Sequence, residues 1–304
     1  MQTFIFSSTL TLPDMNDYST YTTPKWFWDA IDRKPESGFV EVEKSDINFL
    51  SWSDSGKPGL LFVHGHNAHA HWWDFIAPSY SEKYQVVALD LSGMGDSDHR
   101  SEYSADLYAK EIVAVCDRCE MSQDTILVSH SFGGIVSIRA VAKNPERFKG
   151  LILLDSGVKH PEDSRPLEPE RLSVAKLYPS SEVARSRFRL QPAQQCENQF
   201  IVDHIARHSI EYLDEGYGWK FDEEQRQRMR AYDEVKTDFE SIAIKCALIY
   251  GDSSEYFTAK SAVYMSELLP QLDVTELAKA QHHLFLDQPL NFMEELSAQL
   301  DAWS

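Results

Sequence analysis

Ser129-His130-Ser131-Phe132-Gly133, set directly behind the apolar run Thr125-Ile126-Leu127-Val128, decides how this chain is to be read. A strand-like run that ends in small-x-Ser-x-Gly and passes at once into a helix is the pattern of a nucleophile elbow. Such a turn is strained and lifts a serine hydroxyl above the end of a sheet. The backbone passes so close to itself there that the residues two before and two after the serine must be small. Here they are Ser129 and Gly133, with Gly134 adding room. Ser129 stands where glycine is more usual. In isolation the pentapeptide is also what a Ser/Gly-rich loop looks like, so its neighbours have to carry the reading.

Working outward, Gly59-Leu60-Leu61-Phe62-Val63 is another short apolar run and ends in His64-Gly65-His66-Asn67. Tyr84-Gln85-Val86-Val87-Ala88-Leu89 leads into Asp90-Leu91-Ser92-Gly93-Met94-Gly95-Asp96-Ser97. Further strand-like runs fall at 151–154, 247–250 and 274–277, and helical patterns begin near His71, Ala105, Phe132, Thr258 and Leu290. This alternation predicts a mostly parallel sheet, covered by helices on both faces and joined by right-handed crossovers. Ligands then bind beyond the carboxyl ends of the strands. Residues 39–43 and 47–52 alternate around a turn and predict an antiparallel edge hairpin. Residues 1–37 read as a leader packing on the core, with a short aromatic helix at 24–31. The alternation breaks at 157–240, a charged, Pro-containing interval of helical pattern, so the core is expected at 38–156 and 241–304 with a helical insertion between. Trp219, Tyr212, Tyr217, Phe188, Phe200 and Phe221 are the aromatics of that insertion that can line a pocket, although most such residues form its own small core.

With 29 basic and 48 acidic residues the net charge is −19, which argues against nucleic acid and anionic membranes as partners. The apolar runs are far too short to span a bilayer. The first ten residues lack the basic region and long apolar core of a secretory signal, so a soluble, cytoplasmic protein is expected. Cys116-Asp117-Arg118-Cys119 has no second pair to complete a zinc site and lies within a helical pattern, as two ordinary helix cysteines would.

The elbow, the His64-Gly65 turn, the Asp90 loop and the segment Gln281-His282-His283-Leu284-Phe285-Leu286-Asp287-Gln288-Pro289 occur in an order that resembles the α/β-hydrolase superfamily from about residue 38 to the end. The resemblance implies an eight-stranded, mostly parallel α/β sheet with a helical cap at 157–240. It also implies a Ser-His-acid triad in the chain order nucleophile, acid, histidine. Ser131 is the expected nucleophile. His282 is the expected base, because in related sequences the histidine lies five residues before an acid and seven before a proline, here Asp287 and Pro289; His283 is one residue off. The acid is expected after Gly251, at Glu255, with Asp252 as the alternate and Asp155, at the end of the preceding strand, as a third candidate. The backbone N–H groups of Phe132 and His66 are the expected oxyanion donors.

His64, His66, His69 and His71 invite a metal reading. Their spacing matches no helix-face pair such as H-E-x-x-H, and the resemblance gives His64 a packing and hydrogen-bonding role. No metal and no cofactor is expected. The chain is therefore read as a serine hydrolase, carboxylesterase-like, cleaving an ester of a small or medium acyl group through an acyl-enzyme. Thioesterases, carbon–carbon bond hydrolases and iminopeptidases use the same parts, and a non-catalytic binder of the same fold is the alternative from another class. Serine at the elbow argues against close kinship with epoxide hydrolases, which place aspartate there.

Overall fold

The computed structural model describes residues 22–163 and 176–304. Most of the expected leader, and part of the expected insertion, lie outside these residues. The strands are β1 (Glu36–Val42), β2 (Ser45–Ser51), β3 (Gly59–Val63), β4 (Gln85–Leu89), β5 (Ile126–His130), β6 (Gly150–Leu154), β7 (Ile210–Leu213), β8 (Gly216–Trp219), β9 (Lys245–Gly251) and β10 (Asp273–Leu277). Eight of them form one sheet in the order β1-β2-β4-β3-β5-β6-β9-β10. The pairs from β4 through β10 are parallel, while β1 pairs with β2, and β2 with β4, in antiparallel fashion. The β1–β2 hairpin closes through Glu43 and Lys44, both at positive φ (49° and 67°), as a two-residue turn matched to strand twist requires.

The central strands are apolar at every position because each face of the sheet is covered. Successive residues feed opposite cores: Leu60 and Phe62 of β3, Ile126 and Val128 of β5, and Ile152 and Leu154 of β6 enter one. Leu61, Val63, Leu127, Leu151 and Leu153 enter the other. The first core is closed by α1 (Lys25–Ile31) and, from the C-terminus, by α10 (Pro289–Ala302), which follows the single turn α9 (Leu284–Asp287). The second is closed by α2 (Ala105–Arg118), α3 (Phe132–Lys143) and α8 (Ala259–Leu268). Phe27 of α1 is fully buried, its ring 5.0 Å from that of Phe200, so this aromatic helix docks on the body as expected. The helix expected near His71 is instead a pair of 3₁₀ turns, Ala70–Trp73 and Ala77–Tyr80; Pro78 supplies no N–H to continue a helix.

Between β6 and β9 the chain leaves the main sheet and builds α4 (Ser181–Ser186), α5 (Gln199–His208), the β7–β8 hairpin, α6 (Gln225–Arg228) and α7 (Val235–Glu240). The hairpin departs from the all-helical expectation for this interval. Its strands are four residues long and its turn end is left to solvent at Tyr212 and Leu213, so the sequence carries too little alternation to reveal it. Cys116 of α2 is buried and Cys119 half-buried, and burial pushes their thiols up to about 12 and about 11.

The sheet order positions the site. The chain leaves β3 toward β4 on one side and returns to β5 on the other, so the carboxyl ends of β3 and β5 flank the crevice of a topological switch point.

Candidate active site

Ser131 follows β5 directly and opens α3 with φ 52° and ψ −120°, a strained conformation for a residue with a side chain. The strain is held by packing. A Cβ on Gly133 would lie 2.3 Å from the carbonyl oxygen of His64, so the elbow closes against the β3 loop only with glycine there. Ser129 is accommodated in place of glycine because its buried hydroxyl pairs with that of Ser137 at 2.8 Å. The backbone of Ser131 donates to the Leu154 carbonyl, and the Ser156 hydroxyl donates to the carbonyl of Ser131.

The imidazole of His282 reaches this hydroxyl from the loop after β10, with Nε2 2.9 Å from Ser131 Oγ. On its other side Nδ1 lies 2.6 Å from Asp155 Oδ2. A carboxylate that accepts Nδ1–H leaves the Nε2 lone pair facing the hydroxyl, an arrangement able to take the proton as the oxygen attacks. The loop that delivers His282 packs on β9 where a Cβ at Gly251 would meet the Ala280 carbonyl oxygen at 2.3 Å. It is tied by the Gln281 N–H donating to Asp287 at 2.8 Å and by His130 Nε2 donating to the His282 carbonyl at 3.0 Å. His283 turns away from the hydroxyl and donates from Nδ1 to Gln194 Oε1 at 2.7 Å.

The acid expectation is corrected. The carboxylate beside His282 is Asp155, one residue past β6, and neither Glu255 nor Asp252 takes that place. Glu255 is exposed, and Asp252 accepts from the Ala280 N–H and the Ser253 hydroxyl at the surface. The loop after β9 turns back on itself and contributes a different group: Ser254 donates its hydroxyl to Asp155 Oδ2 at 2.7 Å, while Gly251 N–H donates to Oδ1 at 3.1 Å. β6 lies between β5 and β9, so its end faces the site directly. Asp155 itself sits at φ 46°. Ser254 was legible only as part of the acid-bearing loop.

Phe132 and His66 stand at the start of α3 and in the turn after β3, and among the described residues neither N–H donates to a backbone carbonyl. The His66 ring donates to Gln225 Oε1 at 2.9 Å. His64 donates from Nδ1 to the Gly65 carbonyl and accepts the Leu91 N–H on Nε2, which joins the loops after β3 and β4. Above Ser131 is a cavity of about 170 Å³ whose lining includes Gly65, Trp72, Gln191, Arg226, Tyr256 and His283. A second cavity of about 200 Å³ shares His66, Trp72 and Gln191 and extends beneath Arg187, Phe188, Arg189 and Trp219. Of the insertion aromatics, Phe188, Trp219 and Phe221 line it, whereas Tyr212 is exposed and Phe200 belongs to the core. The arginines and glutamines of these cavities carried no sequence signal, because their spacing follows no motif.

Burial sets the protonation of the site. It pushes His282 down to about 3, with the Lys159 charge adding to the effect, so the imidazole is neutral at pH 7 and free to accept a proton. Burial also pushes Asp155 up, against the pull of the Ser254 and Gly251 donors. The same desolvation lowers His64, His66, His69, His130, His208 and His283. An unfolded histidine titrates near about 6.5, so below that pH the unfolded chain binds more protons than the native one and stability falls. Each such imidazole costs up to about 1.4 kcal/mol per pH unit in that range. His71 works the other way: burial lowers it, but the charge and hydrogen bond of Asp74, with the charge of Asp90, together outweigh burial and raise it. The melting temperature is therefore expected to drop steadily from pH 7.5 to pH 5.5 in scanning calorimetry. A flat profile across that window contradicts the neutral buried histidines.

A sequence profile described as the alpha/beta hydrolase family matches residues 60–295 of the chain. Esterase Rv0045c of Mycobacterium tuberculosis is 25% identical over 271 residues, covering 86% of this chain and 88% of the esterase. Epoxide hydrolase 4 of Homo sapiens is 29% identical over 122 residues, but the match covers 38% of this chain and only 33% of that protein. Among solved structures, E-2-(acetamidomethylene)succinate hydrolase superposes with a TM-score of 0.74 at 18% identity, covering 88% of this chain and 99% of that one. No described helix is long and apolar enough to cross a membrane.

Proposed function

The chain belongs to the alpha/beta hydrolase family, and from that premise we propose that it is a serine hydrolase cleaving a carboxylic ester through an acyl-enzyme. Ser131 attacks the carbonyl carbon. His282 takes the hydroxyl proton and returns it to the leaving alcohol, and Asp155 holds the imidazole in the productive tautomer and stabilises its charged form. Water, activated by the same imidazole, then breaks the acyl-enzyme. The N–H groups of Phe132 and His66 receive the developing alkoxide; such a donor is worth about 2.7–4 kcal/mol of barrier. The observation that carries the reading is the unbroken line of hydrogen bonds from Ser131 Oγ through His282 to Asp155. The segment between β6 and β9 acts in this reading as a lid, which fits a small or medium acyl group held in an enclosed pocket.

The lining favours an acyl group that itself carries negative charge. Although the protein has a net charge of −19, the two connected cavities present Arg226, Arg187 and Arg189 and no carboxylate among their described lining residues. A carbon–carbon bond hydrolase on the same triad would use the same cationic lining and is the second reading.

A fluorophosphonate probe is expected to label the native protein and to leave Ser131→Ala unlabelled. An ester panel of graded acyl length, with and without a terminal carboxylate, is expected to show higher kcat/KM for the acidic members. Folded protein that resists the probe and turns over no ester would instead be a binding protein on this scaffold.

A further inference from the structure

Away from Ser131, the 3₁₀ turn Ala70–Trp73 meets α5, and three imidazoles surround one carboxylate. His71 Nδ1 lies 2.9 Å and His204 Nε2 2.8 Å from the same oxygen of Asp74, Oδ2. His204 and His208 are four residues apart on α5 and so share one of its faces. The His208 ring stacks on His71 with centroids 3.9 Å apart and lies 4.8 Å from the ring of His204.

One feature of the cluster is unexplained by packing or hydrogen bonding. Asp74 is more than nine-tenths buried, and its second oxygen, Oδ1, has no hydrogen-bond partner among the described residues. A buried acceptor left without a donor is costly, the more so when it is charged. The half-buried His208 ring makes no hydrogen bond to protein among the described residues, which leaves its nitrogens free to bind a ligand. A cation beside Oδ1 would satisfy the orphaned oxygen.

We propose that His71, Asp74 and His208 form a binding site for one divalent transition-metal ion of the zinc or cobalt type, with His204 orienting Asp74 from behind. One donor atom from each of the three residues lies within 4.8 Å of the others. A tetrahedral ion with bonds of about 2.0–2.2 Å needs donors about 3.3 Å apart, a difference that side-chain rotation spans. Two imidazoles and a carboxylate are the donor set that suits such ions, and the carboxylate–histidine contact supplies the second layer of support found around metal ligands. The ion would fasten α5, from the segment between β6 and β9, to the turn after β3. The run His64, His66, His69, His71 supplies one ligand, and the rest come from elsewhere in the chain.

The test uses full-length protein without an affinity tag, stripped with a chelator and dialysed. Titration with Zn²⁺ by calorimetry and with Co²⁺ by visible absorption is expected to show one equivalent bound at micromolar Kd or tighter, with the absorption of a low-symmetry cobalt site. His208→Ala is expected to weaken binding at least about tenfold, as loss of a ligand does, while remaining folded by circular dichroism. Asp74→Asn tests the charge. Absence of saturable binding in the native protein, or binding by folded His208→Ala equal to that of the native protein, overturns the proposal. Neither readout depends on Ser131 or on ester turnover.

Discussion

Replacing His282 by alanine is expected to lower kcat for an activated ester by about 10⁴-fold or more, while His283→Gln leaves it within about tenfold of the native value. The two histidines are adjacent in sequence, both are buried, and both have pKa values lowered by desolvation. They differ in what their nitrogens meet. His282 faces Ser131 Oγ at 2.9 Å, and a serine hydroxyl without a base is a poor nucleophile. His283 is engaged with Gln194 at the edge of the cavity, a contact that glutamine can partly keep. Steady-state kinetics on folded variants, checked by circular dichroism, separates the two. Equal losses in both would mean that the proton passes through the loop as a whole and not through one imidazole.

Asp155→Asn is expected to cost about 10³–10⁴-fold in kcat with little change in KM, whereas Glu255→Gln and Asp252→Asn remain near native. An amide at position 155 can turn its NH₂ toward Nδ1 and so favour the tautomer that carries hydrogen on Nε2, where the base is needed. Gly251 N–H would still donate to the amide oxygen and the Ser254 hydroxyl can turn to accept from the same NH₂, so the fold of the loop is kept and the loss belongs to the imidazole. Glu255 is exposed, and Asp252 can keep accepting from Ala280 as an amide. A large loss in Glu255→Gln beside a mild one in Asp155→Asn would return the acid to the loop after β9.

Much of this molecule is legible in its sequence, for local reasons. The apolar runs around Leu61, Val87, Leu127 and Leu153 predict strands buried on both faces, and they form the centre of the sheet. Ser129, Gly133 and Gly134 mark a turn in which the backbone crowds itself, and the crowding is real at Gly133. The spacing of His282 to Asp287 and Pro289 singles out one of two adjacent histidines, and Asp287 does tie down the backbone just ahead of it. The 3₁₀ turns near His71 and the β7–β8 hairpin escaped because each is shorter than the period that would announce it.

Strand identity, strand direction and the site of the strained serine turn were determined by the sequence alone, since they follow from the order and size of residues within a few positions of one another. Which carboxylate faces His282, and which histidines gather around Asp74, were decided by the tertiary structure. Asp155 and Ser254 meet because β6 and β9 are neighbours in the sheet, and His71 meets His208 because α5 packs across the turn after β3. Those adjacencies depend on how distant elements share buried surface, and no spacing along the chain encodes them.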